Sequence, residues 1–96
     1  MTAETVRNLP DLGDWDCSDT TLVAEFRLPG FLAAATFASA IAAAADAVDH
    51  HPDLSISHPG LVRVVLTTHA TGGLTTADVD LARRISTLAR TVRRGE

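Results

Sequence analysis

The chain has 96 residues and a formal net charge of −4, and its 8 basic residues are all arginine. That length suits one domain, residues 1–96, whose modest core would gain from oligomerisation. The acidic balance argues against general nucleic-acid binding, and the single cysteine, Cys17, excludes an internal disulfide.

The opening "MTAETVRNLPDLGDW" has no basic start followed by an apolar stretch, so it does not read as a secretory signal. No run approaches the roughly 18 apolar residues that cross a bilayer. The expectation is a cytoplasmic protein without membrane contact. Residues 4–9 read as a short helix ended by Pro10.

"TLVAEFRL" alternates, with Leu22, Ala24, Phe26 and Leu28 on one face, as in a half-buried strand. Pro29 and Gly30 end it. The period then changes. Phe31, Ala34, Phe37, Ala38, Ile41, Ala45 and Val48 recur at helical steps and predict one buried stripe. Pro52 disfavours helical geometry at His51, which sets the helix end near His50.

Two strands follow. Leu54, Ile56 and His58 share a face of the first; Val62, Val64, Leu66 and Thr68 share a face of the second. Burial of one face selects a loop Pro59–Gly60–Leu61, with Ile56 opposite Val64 and Leu54 opposite Leu66. Thr75 then reads as an N-cap with Asp78 three residues on, close to a capping box. Leu81, Ile85, Leu88 and Val92 form the stripe of a last helix. Five of the arginines lie between Arg83 and Arg94 and read as a solvated helix face with cations near its C-terminus. A hairpin between two helices points to antiparallel pairing and an α+β fold. Trp15 and the phenylalanines read as core anchors.

The histidines carry the chemistry. His50 and His51 end a helix and His69 ends a strand. The antiparallel hairpin brings all three to one end of the sheet, with His58 at the opposite, loop end. Imidazoles donate and accept protons near neutral pH, which suits general acid–base catalysis. Adjacent His50 and His51 cannot easily aim both rings at one metal ion, so a metal is not expected. "TGGLT" lacks the spacing and lysine of a phosphate loop. Cys17 has no basic neighbour in sequence to activate it.

"DAVDHHPD" followed by "LTTHATGGLTTADVDLARRI" resembles the pterin-4a-carbinolamine dehydratases. The matching positions are Asp46, His50, His51, Pro52, Thr68, His69, Gly73, Leu74, Thr75 and Asp78. The resemblance runs from about Trp15 onwards. It implies an antiparallel four-stranded sheet with helices packed on one face. It also implies dimers or tetramers, and dehydration of a 4a-hydroxytetrahydropterin to the quinonoid dihydropterin without metal or cofactor. That reaction recycles the pterin of aromatic amino-acid hydroxylases, a functional link rather than a binding partner.

On the same resemblance, His50 and His69 transfer protons and His51 holds the substrate. Asp49, Thr67 and Thr68 border the pterin. Asp46, one turn before His50, reads equally as a ring-orienting group or as an exposed helix carboxylate. For Asp78 the capping role is the stronger reading. Two aromatics usual in the family are replaced by Leu54 and His58, and the hairpin loop is one residue longer. These departures keep open a non-catalytic relative that acts as a dimerisation or partner-stabilising module.

Overall fold

The computed structural model describes residues 2–68 and 72–93. In chain order the elements are α1 (Ala3–Arg7), β1 (Asp16–Cys17), β2 (Leu22–Arg27), α2 (Phe31–Val48), β3 (Asp53–Ser57), β4 (Leu61–Leu66) and α3 (Thr76–Arg93). The strands form one antiparallel four-stranded sheet in the order β1-β2-β4-β3. α2 and α3 pack against each other and against one face of that sheet, giving the expected α+β fold.

β2 alternates as its sequence requires. Leu22, Ala24 and Phe26 are buried, and Glu25 and Arg27 are exposed. Its buried face meets Val62, Val64 and Leu66 of β4, all fully buried. Trp15, Phe26 and Phe37 stack edge-to-face, with centroid separations of 5.9 and 5.3 Å. The indole Nε1 of Trp15 donates to Ser86 Oγ at 2.9 Å, so its one polar atom is satisfied inside the core. Each fully buried Phe contributes about 1.5–3 kcal/mol through its burial.

The stripe of α2 is shorter than its sequence pattern. Ala34, Phe37, Ala38, Ile41 and Ala45 are buried. Phe31 and Val48, at the two ends, are 53% and 61% exposed. Length explains this: an 18-residue helix runs about 27 Å, whereas a strand of six residues spans about 20 Å. The helix is longer than the strands it packs on. With a mean hydropathy of 1.7 over 18 residues, α2 also meets the length and composition for a membrane crossing, contrary to the expectation. Its buried stripe seats it instead on the sheet and α3.

The hairpin register differs from the expected one by two residues. Leu54 pairs with Val64 and Ile56 with Val62. The loop is His58–Pro59–Gly60, and Leu61 already belongs to β4, opposite Arg27. Tertiary contact decides this. Gly60 O accepts from Leu28 N at 2.8 Å, and a Cβ on Gly60 would lie 2.7 Å from Leu28 O and 2.9 Å from Gly30 O. Gly60 is wedged against the turn between β2 and α2. A shift of two preserves the facing of every side chain, so the expected faces survive. Ile56 is still 38% exposed, because β3 is an edge strand.

α3 buries Val79, Leu81, Ala82, Ile85 and Ala89 and packs Leu88 and Val92 against the core margin. Of the arginines toward its C-terminal half, Arg84 and Arg90 are exposed and Arg83 is half-buried, while Arg94 lies outside the described residues. Arg83 Nε donates to exposed Asp11 Oδ2 at 2.6 Å, tying α3 to the segment after α1.

Candidate active site

The site is built around the C-terminus of α2. The helix stops at Val48, two residues before the expected end, and Pro52 is not the immediate cause. Asp49 adopts the left-handed conformation, φ 51° and ψ 44°. Its N–H donates to Asp46 O at 3.3 Å, and the N–H of His50 donates to Ala45 O at 3.1 Å. These are the two bonds of a Schellman motif. The turn directs His50 and His51 to different partners.

His50 points inward. Its side chain is 15% exposed and its Nε2 lies 2.6 Å from Oδ1 of the fully buried Asp78. His51 points outward, with Nε2 2.8 Å from Oδ1 of Asp46. That pair is largely exposed, at 56% and 78%. Asp46 thus contacts the ring of His51, not that of His50, and is at the same time an exposed helix carboxylate.

Asp78 combines two tasks. Its Oδ2 accepts from Thr75 N at 3.0 Å, the carboxylate half of the expected capping box at the start of α3. The same oxygen accepts from Thr68 Oγ1 at 2.6 Å. The other oxygen is left for His50. Sequence reasoning saw the cap and missed the histidine partner. The sequence carries no local signal for that partner: only the fold shows that the carboxylate has no exposure and needs more donors than a cap supplies.

Of the other expected site residues, Thr68 sits just beyond β4 and reaches Asp78, so the end of the sheet and the end of α2 meet there. Thr67 Oγ1 donates to Thr20 O at 2.6 Å, in the turn between β1 and β2. Asp49 is exposed. His69 lies outside the described residues. His58 stands in the exposed hairpin turn, remote in the hairpin from the histidine end. Leu54 packs at the core margin on the face of β3 turned toward the helices. Among the described residues no three His, Cys, Asp or Glu side chains come together as a metal site.

A separate cavity of about 550 Å³ opens between α2 and α3. Ala44, Ala47, Val48, Thr76, Ala77 and Leu81 line it, with Asp80 and Arg84 as its charged members. His50, His51 and Asp78 do not line it.

With the geometry in place, known proteins can be compared. The family model for pterin 4 alpha carbinolamine dehydratase matches residues 1–88. A candidate pterin-4-alpha-carbinolamine dehydratase of Chloroflexus aurantiacus is 42% identical over 83 residues, 86% of this chain and 88% of that one. A protein of the same description from Haloarcula marismortui is 42% identical over 84 residues, 88% of each. Among solved structures, a transcriptional coactivator/pterin dehydratase from Brucella melitensis superposes with a TM-score of 0.76 at 30% identity, covering 90% of this chain and 89% of that one. A pterin dehydratase-like protein described as a RuBisCO assembly factor in the alpha-carboxysome shares the fold, with a TM-score of 0.63 at 20% identity over 78% of this chain and 86% of that one. An α+β fold with a histidine–carboxylate pair at the end of its sheet is thus joined to a sequence match over most of the chain. The chain belongs to the pterin-4a-carbinolamine dehydratase family.

Proposed function

We propose that this protein dehydrates a 4a-hydroxytetrahydropterin to the quinonoid dihydropterin. The observation that carries the reading is the buried His50–Asp78 pair, set by a Schellman turn within a chain of this family. In the reaction the C4a–O bond breaks and the oxygen leaves as water after taking a proton. N5 loses its proton, and its electron pair forms the C4a=N5 bond. One acid and one base suffice, and histidines fill both roles.

His50 and His69 are the proton-transfer groups in this reading, and His51 holds the substrate. A carboxylate bonded to Nε2 of His50 fixes the tautomer with hydrogen on Nε2 and leaves Nδ1 for the pterin. Thr67 and Thr68 border the pterin through their main chain, since their hydroxyls have protein partners, and Asp49 borders it through its main chain or its exposed side chain. The single thiol of Cys17 fits a reducing, cytoplasmic setting.

The protein works as a homo-oligomer. α2 carries one charged residue, Asp46, in 18, and Leu32 stands 80% exposed on it. A bare helix face of this kind suits a second copy of the chain. The same face supports the second reading, a non-catalytic partner-stabilising module, which Leu54 in place of an aromatic also favours.

The test is a stopped-flow assay on 4a-hydroxytetrahydropterin generated by a hydroxylase. The enzyme reading requires acceleration over buffer that His50→Ala lowers by about 10²-fold or more. No acceleration by the wild-type protein sinks it and leaves the module reading.

A further inference from the structure

We infer that Thr68 is a positioning residue: its hydroxyl, backed by that of Thr75, aims Asp78 at His50. A hydroxyl has one hydrogen to give. Thr68 gives its hydrogen to Asp78 Oδ2 at 2.6 Å, so its oxygen is an acceptor toward Thr75 Oγ1, 2.8 Å away. Thr75 stands 3.5 Å from Asp78 Oδ2, so its hydrogen goes to the nearer Thr68. The result is a chain from Thr75 through Thr68 to one oxygen of Asp78, with His50 Nε2 on the other oxygen. Hydrogen bonds linked in this way polarise one another where water is scarce, and Asp78 has no exposure.

Thr68 is itself held. Its N–H donates to Gly73 O and its carbonyl accepts from Gly72 N, both at 3.0 Å. The hydroxyl therefore comes from a fixed backbone, and it locks the rotation of a carboxyl whose other oxygen sets the His50 ring.

The kinetic side of this inference rests on the proposed dehydratase reading, and the spectroscopic side does not. The experiment compares Thr68→Val, which keeps the shape and removes the hydroxyl, with Thr68→Ser, which restores it. Nitrogen–proton NMR on histidine-labelled protein reads the tautomer of His50, and stopped-flow reads dehydration. Wild type and Thr68→Ser are expected to show His50 with hydrogen on Nε2. Thr68→Val is expected to show a mixture of tautomers and about a tenfold fall in kcat, with KM within about twofold, as misplacement of a reacting group implies. If Thr68→Val fails to fold, Thr68→Cys, a weak donor, takes its place with an intermediate signature. Wild-type His50 signals in the folded Val or Cys variant overturn the inference. If the wild type gives no acceleration yet Thr68→Val still changes the His50 signals, the dehydratase reading falls and the positioning role stands.

Discussion

His50 and Asp78 meet across 28 residues of sequence, Nε2 to Oδ1 at 2.6 Å, and the contact joins the end of α2 to the start of α3. The carboxyl is fully buried and the imidazole nearly so. Asp78→Asn keeps the shape and replaces one acceptor oxygen by a donor. Thr75 N, Thr68 Oγ1 and His50 Nε2 are then left competing for one oxygen. Chemical denaturation is expected to show a loss of about 2–4 kcal/mol, the range for an unpaired buried polar group. In the dehydration assay Asp78→Asn and His50→Ala are expected to be non-additive, because one residue acts through the other. Additive losses in the double variant would count against that dependence.

Much of the architecture was legible in the sequence because burial leaves a period. The alternation from Leu22 to Leu28 and the helical steps from Ala34 to Ala45 are direct records of one-sided burial. β1 was not, since a strand of two residues has no period to read; only the family resemblance supplied a fourth strand. The hairpin register was missed because Gly60 answers to the backbone of Leu28 and Gly30, which no local pattern encodes. The site was half legible. Asp78 lies at cap spacing from Thr75, and its bond to His50 depends on two helix ends meeting in space.

The Schellman turn sets up a second prediction. Asp49 holds φ 51° without the freedom of glycine. Left-handed geometry costs most residues about 1–2 kcal/mol, with Asp among the better tolerated. Asp49→Gly is expected to raise stability by up to about 1 kcal/mol, and Asp49→Ala to lower it by a similar amount. Urea midpoints at constant slope would read both. A stable Asp49→Gly protein with a raised KM would separate the turn from substrate contact. A Gly variant less stable than wild type would show that the carboxylate, not the backbone, matters for folding.

Gly60 gives a third. Its missing Cβ would fall 2.7 and 2.9 Å from two carbonyl oxygens of the β2–α2 turn, and backbone atoms cannot rotate away. Gly60→Ala is expected to cost about 2–3 kcal/mol, as other overpacked sites do. Gly13 has nothing within 4 Å of the same position, so Gly13→Ala is the control and should stay within about 0.5 kcal/mol. Thermal melts of the two variants side by side decide the matter. Equal melting temperatures would mean the hairpin loop relaxes freely.

The last concerns Cys17 in β1, whose thiol lies within reach of Ala3 O at 3.6 Å and Ser18 O at 3.4 Å and donates its one hydrogen to one of them at a time. Burial raises its pKa above the ordinary 9.0; Arg7 pulls it down and Asp19 pushes it up, both less strongly. The chain has no tyrosine and no lysine. With both absent, Cys17 is the one side chain of the kinds that ordinarily titrate in this alkaline range. The sign follows from proton counting. In alkali the unfolded thiol ionises first, so the folded state holds more protons and stability falls as pH rises past 9. Above the folded value the loss levels off. Denaturation at intervals from pH 8 to pH 11 should show this decline in the wild type, with a slope no steeper than about 1.4 kcal/mol per pH unit. Cys17→Ala should be flat over the same range. An equal decline in both proteins would place the alkaline sensitivity elsewhere in the chain.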